Sequence, residues 1–84
     1  MTDDADGYAK YFEKPTAATH PSPTRWYPMF GGDLTVLVRD WLKATPMKGV
    51  GYIYRVEWNV VNGAKIICHF SDPSDAVLFK LAWS

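Results

Sequence analysis

Two alternating runs, Tyr52 to Val60 and Lys65 to Phe70, flank the pair Asn62-Gly63, and no other feature restricts this chain so strongly. Alternation sends every second side chain to one face of a strand, and an Asn-Gly step favours a tight turn, so the segment reads as a β-hairpin. Tyr54, Val56, Trp58 and Val60 fall on one face, with Arg55, Glu57 and Asn59 on the other. A two-residue Asn62-Gly63 loop would set Trp58 opposite Ile67 and mix polar with apolar side chains. A three-residue Val61-Asn62-Gly63 loop, with Gly63 left-handed, pairs Trp58 with Ile66, Val56 with Cys68 and Tyr54 with Phe70. The second register is expected, because a slip of one residue turns every side chain over.

A two-stranded hairpin is not stable alone, so the flanking segments must cover it. Upstream, Asp33 is placed to cap a helix over about 33–44, in which Leu34, Leu37, Val38, Trp41 and Leu42 recur at helical spacing. Thr35, Arg39, Asp40 and Lys43 take its other side, and Pro46, Gly49 and Gly51 close the segment. Downstream, Asp72-Pro73 reads as a cap and first helical residue, with Ser74 and Asp75 in the first turn. A helix over about 73–82 is predicted, with a closing strand through Leu78 to Trp83 as the alternative. Only Lys80 interrupts its apolar run, which implies burial on more than one side.

Residues 1–32 have neither period. Pro15, Pro21, Pro23 and Pro28 favour an extended path, yet Tyr8, Tyr11, Phe12, Trp26, Tyr27 and Phe30 are too many aromatics for an inert linker. The fold class is therefore α+β: an extended, proline-rich N-terminal arm over 1–32, with one helical turn around Tyr8 to Glu13, and a small αββα domain over 33–84. Trp41, Val56, Trp58, Cys68 and Leu81 are the expected core, and Trp58→Ala is expected to cost ~3 to 5 kcal/mol.

Several chemistries are disfavoured. Nine basic residues balance nine acidic ones, for a formal charge of zero, so the net attraction that drives non-specific nucleic-acid binding is missing. Tyr52, Tyr54 and Trp58 resemble a base-stacking platform, but they share a face with core residues. Arg25, Arg55 and Lys65 are the candidate phosphate contacts in that alternative, with Lys10 and Lys14 diluted by nearby acids. Cys68 and His69 are strand neighbours that point to opposite faces, so they cannot share a metal or substrate. His20 lies too far away in sequence for any common zinc spacing. Cys68 is expected as a small buried residue and His69 as a solvated neighbour of Arg55. Asp33 occupies the place where Gly31-Gly32 could offer backbone N–H groups to a phosphate, and Gly49-Val50-Gly51 lacks the Lys-Ser/Thr of a phosphate loop. Asp33 and Asp72 are assigned to caps, Asp75 to a first turn, and Asp3, Asp4 and Asp6 to a tail, which leaves no paired-carboxylate site. No catalytic residue, metal or cofactor is expected. The lone Cys68 suggests a reducing compartment, the acidic start lacks the layout of a signal peptide, and no apolar run is long enough to span a bilayer.

The C-terminal run His69-Phe70-Ser71-Asp72-Pro73-Ser74-Asp75-Ala76-Val77-Leu78-Phe79-Lys80-Leu81-Ala82-Trp83 resembles the ending of many small proteins encoded by tailed bacteriophages. In these a strand ends in Phe, an acidic capped turn follows, and an Ala-x-x-Phe-Lys-Leu-x-Trp stretch closes the chain. The resemblance implies a viral origin and a small accessory or particle-associated role, in the host cytoplasm or the virion, and it transfers no catalytic residue. The expected function is non-enzymatic binding of a protein partner, host or viral, or of further copies of the chain. Trp26, Tyr27, Phe30, Phe79 and Trp83 are the candidate contact residues, packing on each other or on a neighbouring chain. A small nucleic-acid-binding regulator using the hairpin and arm is the alternative.

Overall fold

A computed structural model of the chain describes residues 20–84; the expected helical turn around Tyr8 to Glu13 lies outside them. The elements are β1 (His20–Pro23), α1 (Gly31–Ala44), β2 (Gly51–Asn59), β3 (Gly63–Phe70) and α2 (Pro73–Trp83). The αββα order is as expected, with one strand added in front. The sheet is antiparallel in the order β1-β3-β2, and both helices pack on one face.

β3 follows its alternation without exception. Ala64, Ile66, Cys68 and Phe70 are fully buried beneath Leu34, Val38 and Leu42 of α1 and Phe79 of α2. The hairpin turns through Val60, Val61 and Asn62, one residue earlier than expected, so Trp58 lies opposite Ala64 and Val56 opposite Ile66. Because the slip is two residues, the faces near the turn are preserved. Gly63 is left-handed at φ +90°, and a Cβ there would collide with the Tyr27 carbonyl. Asn59 organises the turn by accepting from the backbone N–H of Val61 (3.0 Å) and Asn62 (2.6 Å) through Oδ1.

A β-bulge between Ile53 and Arg55 corrects the expected alternation of β2. Ile53 turns inward opposite Cys68 and is fully buried, whereas Tyr54 turns out and is 51% exposed. The expected Tyr54–Phe70 pair is replaced by Gly51 opposite Phe70, where a Cβ would lie 2.5 Å from the Phe70 ring. Trp58 also leaves the expected core. It is 49% exposed near the hairpin tip, while Val56 and Trp41 sit partly buried at the core's margin.

The chain from His20 to Phe30, expected as the end of an arm, is stitched to the domain. β1 pairs with β3, Thr24 donates its N–H to the Ile66 carbonyl (2.7 Å) while accepting the Ile66 N–H through Oγ1 (2.9 Å), and Tyr27 exchanges two backbone bonds with Ala64, both 2.8 Å. These bonds satisfy the side of β3 that a hairpin alone would leave open.

α1 begins two residues before its expected start. Phe30 is its N-cap, without a side-chain hydrogen bond, and Asp33 lies in the first turn. Thr35 is buried rather than outward, with Oγ1 donating to the Gly31 carbonyl at 2.7 Å, whereas Leu37 is 48% exposed. α2 is capped as expected: Asp72 accepts the Ser74 N–H at 2.7 Å. It is buried on one side only. Phe79 is wholly inside, with its ring centroid 5.3 Å from Phe70 and 5.5 Å from Trp41, while Leu81 is 77% exposed and does not join the core. Asp75 does more than favour a first turn. Its buried carboxylate accepts the N–H of Lys48 (3.0 Å) and Gly49 (2.9 Å), tying the α1–β2 loop to α2.

Phe79→Ala should therefore cost ~3 to 5 kcal/mol, the range for a deeply buried aromatic, whereas Trp58→Ala should cost well under that. Denaturant unfolding of the two variants checks the order, and an equal loss would contradict the placement of Trp58. The Asp72 carboxylate is held below its ordinary value chiefly by the Ser74 backbone hydrogen bond. Its contribution should be complete above the unfolded value of about 3.9 and vanish as pH falls through the lower folded value. In Asp72→Asn, which keeps an oxygen acceptor but cannot titrate, the acid limb of a melting-temperature profile should be shallower.

Candidate functional site

Phe30 and Trp58 stack at the tip of the hairpin, with ring centroids 5.9 Å apart and planes inclined by 23°. The end of β2 presents Trp58, and the residue capping α1 presents Phe30. Proximity follows from the backbone: a Cβ on Gly31 would lie 3.9 Å from that of Trp58, so the helix start rests on the strand end. Beside the rings, Val60 and Val61 occupy the turn at 85% and 86% exposure, and Phe30 itself is 68% exposed. Pro28, Met29, Asn59, Asn62 and Gly63 complete an open depression of about 310 Å³. The depression has an aromatic wall, an aliphatic lip, two side-chain amides and no charged residue. Water gains little there, and an apolar side chain could enter between rings and turn.

The expected contact residues are divided among three places. Phe30 belongs to the tip. Tyr27 and Trp83, both half-buried against the core, pack on each other edge to face at 5.9 Å, and the Tyr27 hydroxyl donates to the Trp83 carbonyl at 2.9 Å. Phe79 is core, 6.2 Å from the Trp83 ring, and offers no surface. Trp26 lies beneath the Lys65 ammonium, 5.6 Å from the ring centroid. Trp58, Val60 and Val61 belong to the surface although the sequence pattern assigned Trp58 to the core. Two adjacent β-branched apolar residues in a turn, where polar residues are usual, carried that signal. A second exposed apolar strip, Val77, Leu78 and Leu81, lies on the outer side of α2.

The cations of the nucleic-acid alternative do not converge. Arg25 stacks on Tyr27 at 4.6 Å, Arg55 approaches Glu57 at 3.4 Å, and Lys65 pairs across the strands with Glu57. Each has an aromatic or acidic neighbour that competes with a phosphate. His69 is on the outer sheet face as alternation requires, but it is stacked rather than solvated. Its ring is 4.2 Å from Tyr54 and 5.8 Å from Tyr52, and partial burial lowers its pKa. Cys68 points the other way, fully buried, and burial pushes its thiol far above the ordinary range. His20 opens β1 at the surface. Among the described residues there is no group of three or more His, Cys, Asp or Glu able to hold a metal ion, and no helix long and apolar enough to cross a membrane.

Compared with protein-family models, curated proteins and solved structures, the chain matches none of them.

Cys68 should be inert to a thiol reagent in the folded protein and react only as fast as the domain opens. Labelling followed by mass spectrometry, with and without denaturant, measures this; rapid labelling of folded protein would contradict its burial.

Proposed function

We propose that this chain is a non-enzymatic accessory protein that binds a protein partner through the apolar hairpin tip. The observation that carries the reading is the joint exposure of Phe30, Trp58, Val60 and Val61 around one depression. In a domain this small the burial of such side chains would add needed stability, so leaving four of them in water is better explained by a partner that covers them. The occupant is a protein segment presenting an aliphatic or aromatic side chain to the rings, with its polar backbone groups near the Asn59 and Asn62 amides. The C-terminal likeness to tailed-phage proteins favours a viral setting, as a minor virion component or a modulator of a host complex.

Phe30→Ala and Val61→Asp test the reading, since neither side chain supports the core. In affinity capture from the native host, both variants should lose the partner that the wild type retains, while their unfolding free energies stay within about 0.5 kcal/mol of the wild type. Full retention by folded variants would overturn it. So would binding that weakens steeply with salt, which marks phosphate contacts and would favour nucleic acid.

A further inference from the structure

The two edges of the sheet are unlike. β1 forms one edge with only four residues, and Pro21 and Pro23 lack the N–H that another strand would need. Among the described residues, β2 forms the other edge, with nine residues and no proline. Its hydrogen-bonding direction follows from β3. Ala64 exchanges its backbone bonds with Tyr27, and Ile66 directs both its N–H and its carbonyl to Thr24. Both β3 residues therefore turn away from β2. In an antiparallel ladder their partners, Trp58 and Val56, must likewise turn their own N–H and C=O outward, to the open edge.

We propose that this edge pairs antiparallel with β2 of a second copy of the chain, about a two-fold axis at Val56, which joins the two sheets into one. Charge fixes the register. With Val56 opposite Val56 as the hydrogen-bonded pair, Arg55 of each copy lies opposite Glu57 of the other, so the edge is complementary to itself. The Arg55 side chain is 64% exposed and only 3.4 Å from its own Glu57, leaving guanidinium N–H groups for a second carboxylate. An axis at Glu57 would oppose like charges and use residues whose backbone groups face β3. An axis at Trp58 would set Glu57 opposite Asn59 and leave Arg55 unmatched. On the inner face, Val56 of the second copy comes within diagonal reach of the half-exposed Trp58 ring. The Tyr54 bulge ends the ladder on one side and the turn ends it on the other. The prolines of β1 keep the pairing from propagating, so the assembly closes as a dimer.

Sedimentation equilibrium of the full chain, from micromolar to near-millimolar concentration, should show a monomer–dimer equilibrium. Arg55→Glu and Glu57→Arg should each weaken it by about tenfold or more, since each reversal places like charges together at two symmetry-related sites. The double variant, Arg55→Glu with Glu57→Arg, restores opposite pairs and should recover the dimer. As a second measure of register, oxidised Val56→Cys should give a disulfide-linked dimer, because Cα atoms of a hydrogen-bonded pair lie about 5.5 Å apart. A wild type that stays monomeric throughout overturns the proposal, as does a dimer indifferent to the single reversals or one that the double variant fails to restore. Val61→Asp, which tests the hairpin tip, should leave dimerisation unchanged, so the two surfaces are judged separately.

Discussion

Among the described residues β3 is the one strand with a neighbour on both sides, and every other element is positioned by contact with it. Its four inward residues have no exposed surface, so the face they share must be roofed completely. α1 covers the side towards β2 and α2 the side towards β1, and the roof closes where Trp41 meets Phe79. The stability of so small a domain depends on this closure. Without β1, β3 would have an open edge and α2 would lose the Ser22 hydroxyl, which donates to the Ala76 carbonyl at 3.2 Å. Without Asp75, the α1–β2 loop would lose its two charge-assisted bonds to α2.

The features legible in the sequence are those set by neighbours a few residues apart. The alternation of β3 and the Asp72 cap are local and appear where the pattern places them, and the apolar spacing of α1 holds at Leu34, Val38 and Leu42, while Leu37 faces out and Thr35 in. What could not be read depends on distant partners. Pro21 and Pro23 look like a linker because they remove donors, yet an edge strand tolerates a missing N–H on its solvent side. β1 is recognisable only once His20 to Pro23 are known to face Phe70 to Ile67. α2 is apolar nearly all round, so its sequence contains no phase; the positions of β1 and β3 decide that Phe79 goes in and Leu81 stays out. The bulge in β2 did leave a trace. Ile53 would have broken the polar face of a regular strand, and reversing the inward side at that point resolves the conflict.

The site was legible in its parts but not in its membership. Phe30 is among the five aromatics expected to pack on each other or on a neighbouring chain, whereas Trp58 matches the alternation and reads as core. Its exposure results from the early turn: opposite Trp58 lies Ala64, itself covered on its other flank by Tyr27. An alanine leaves no deep socket for an indole, so the ring lies at the margin, where Phe30 can stack on it.

The same contacts make the tip a preformed surface. Asn59 holds the Val61 and Asn62 N–H groups, Gly63 fits against the Tyr27 carbonyl where no side chain would, and the start of α1 braces Trp58 from above. A loop fixed at so many points gives up little conformational freedom when a partner arrives. Binding as proposed would then draw mainly on the apolar area covered and on rings already stacked. A surface of this kind can hold a partner through few residues, which is what a domain with such a small exterior has to offer.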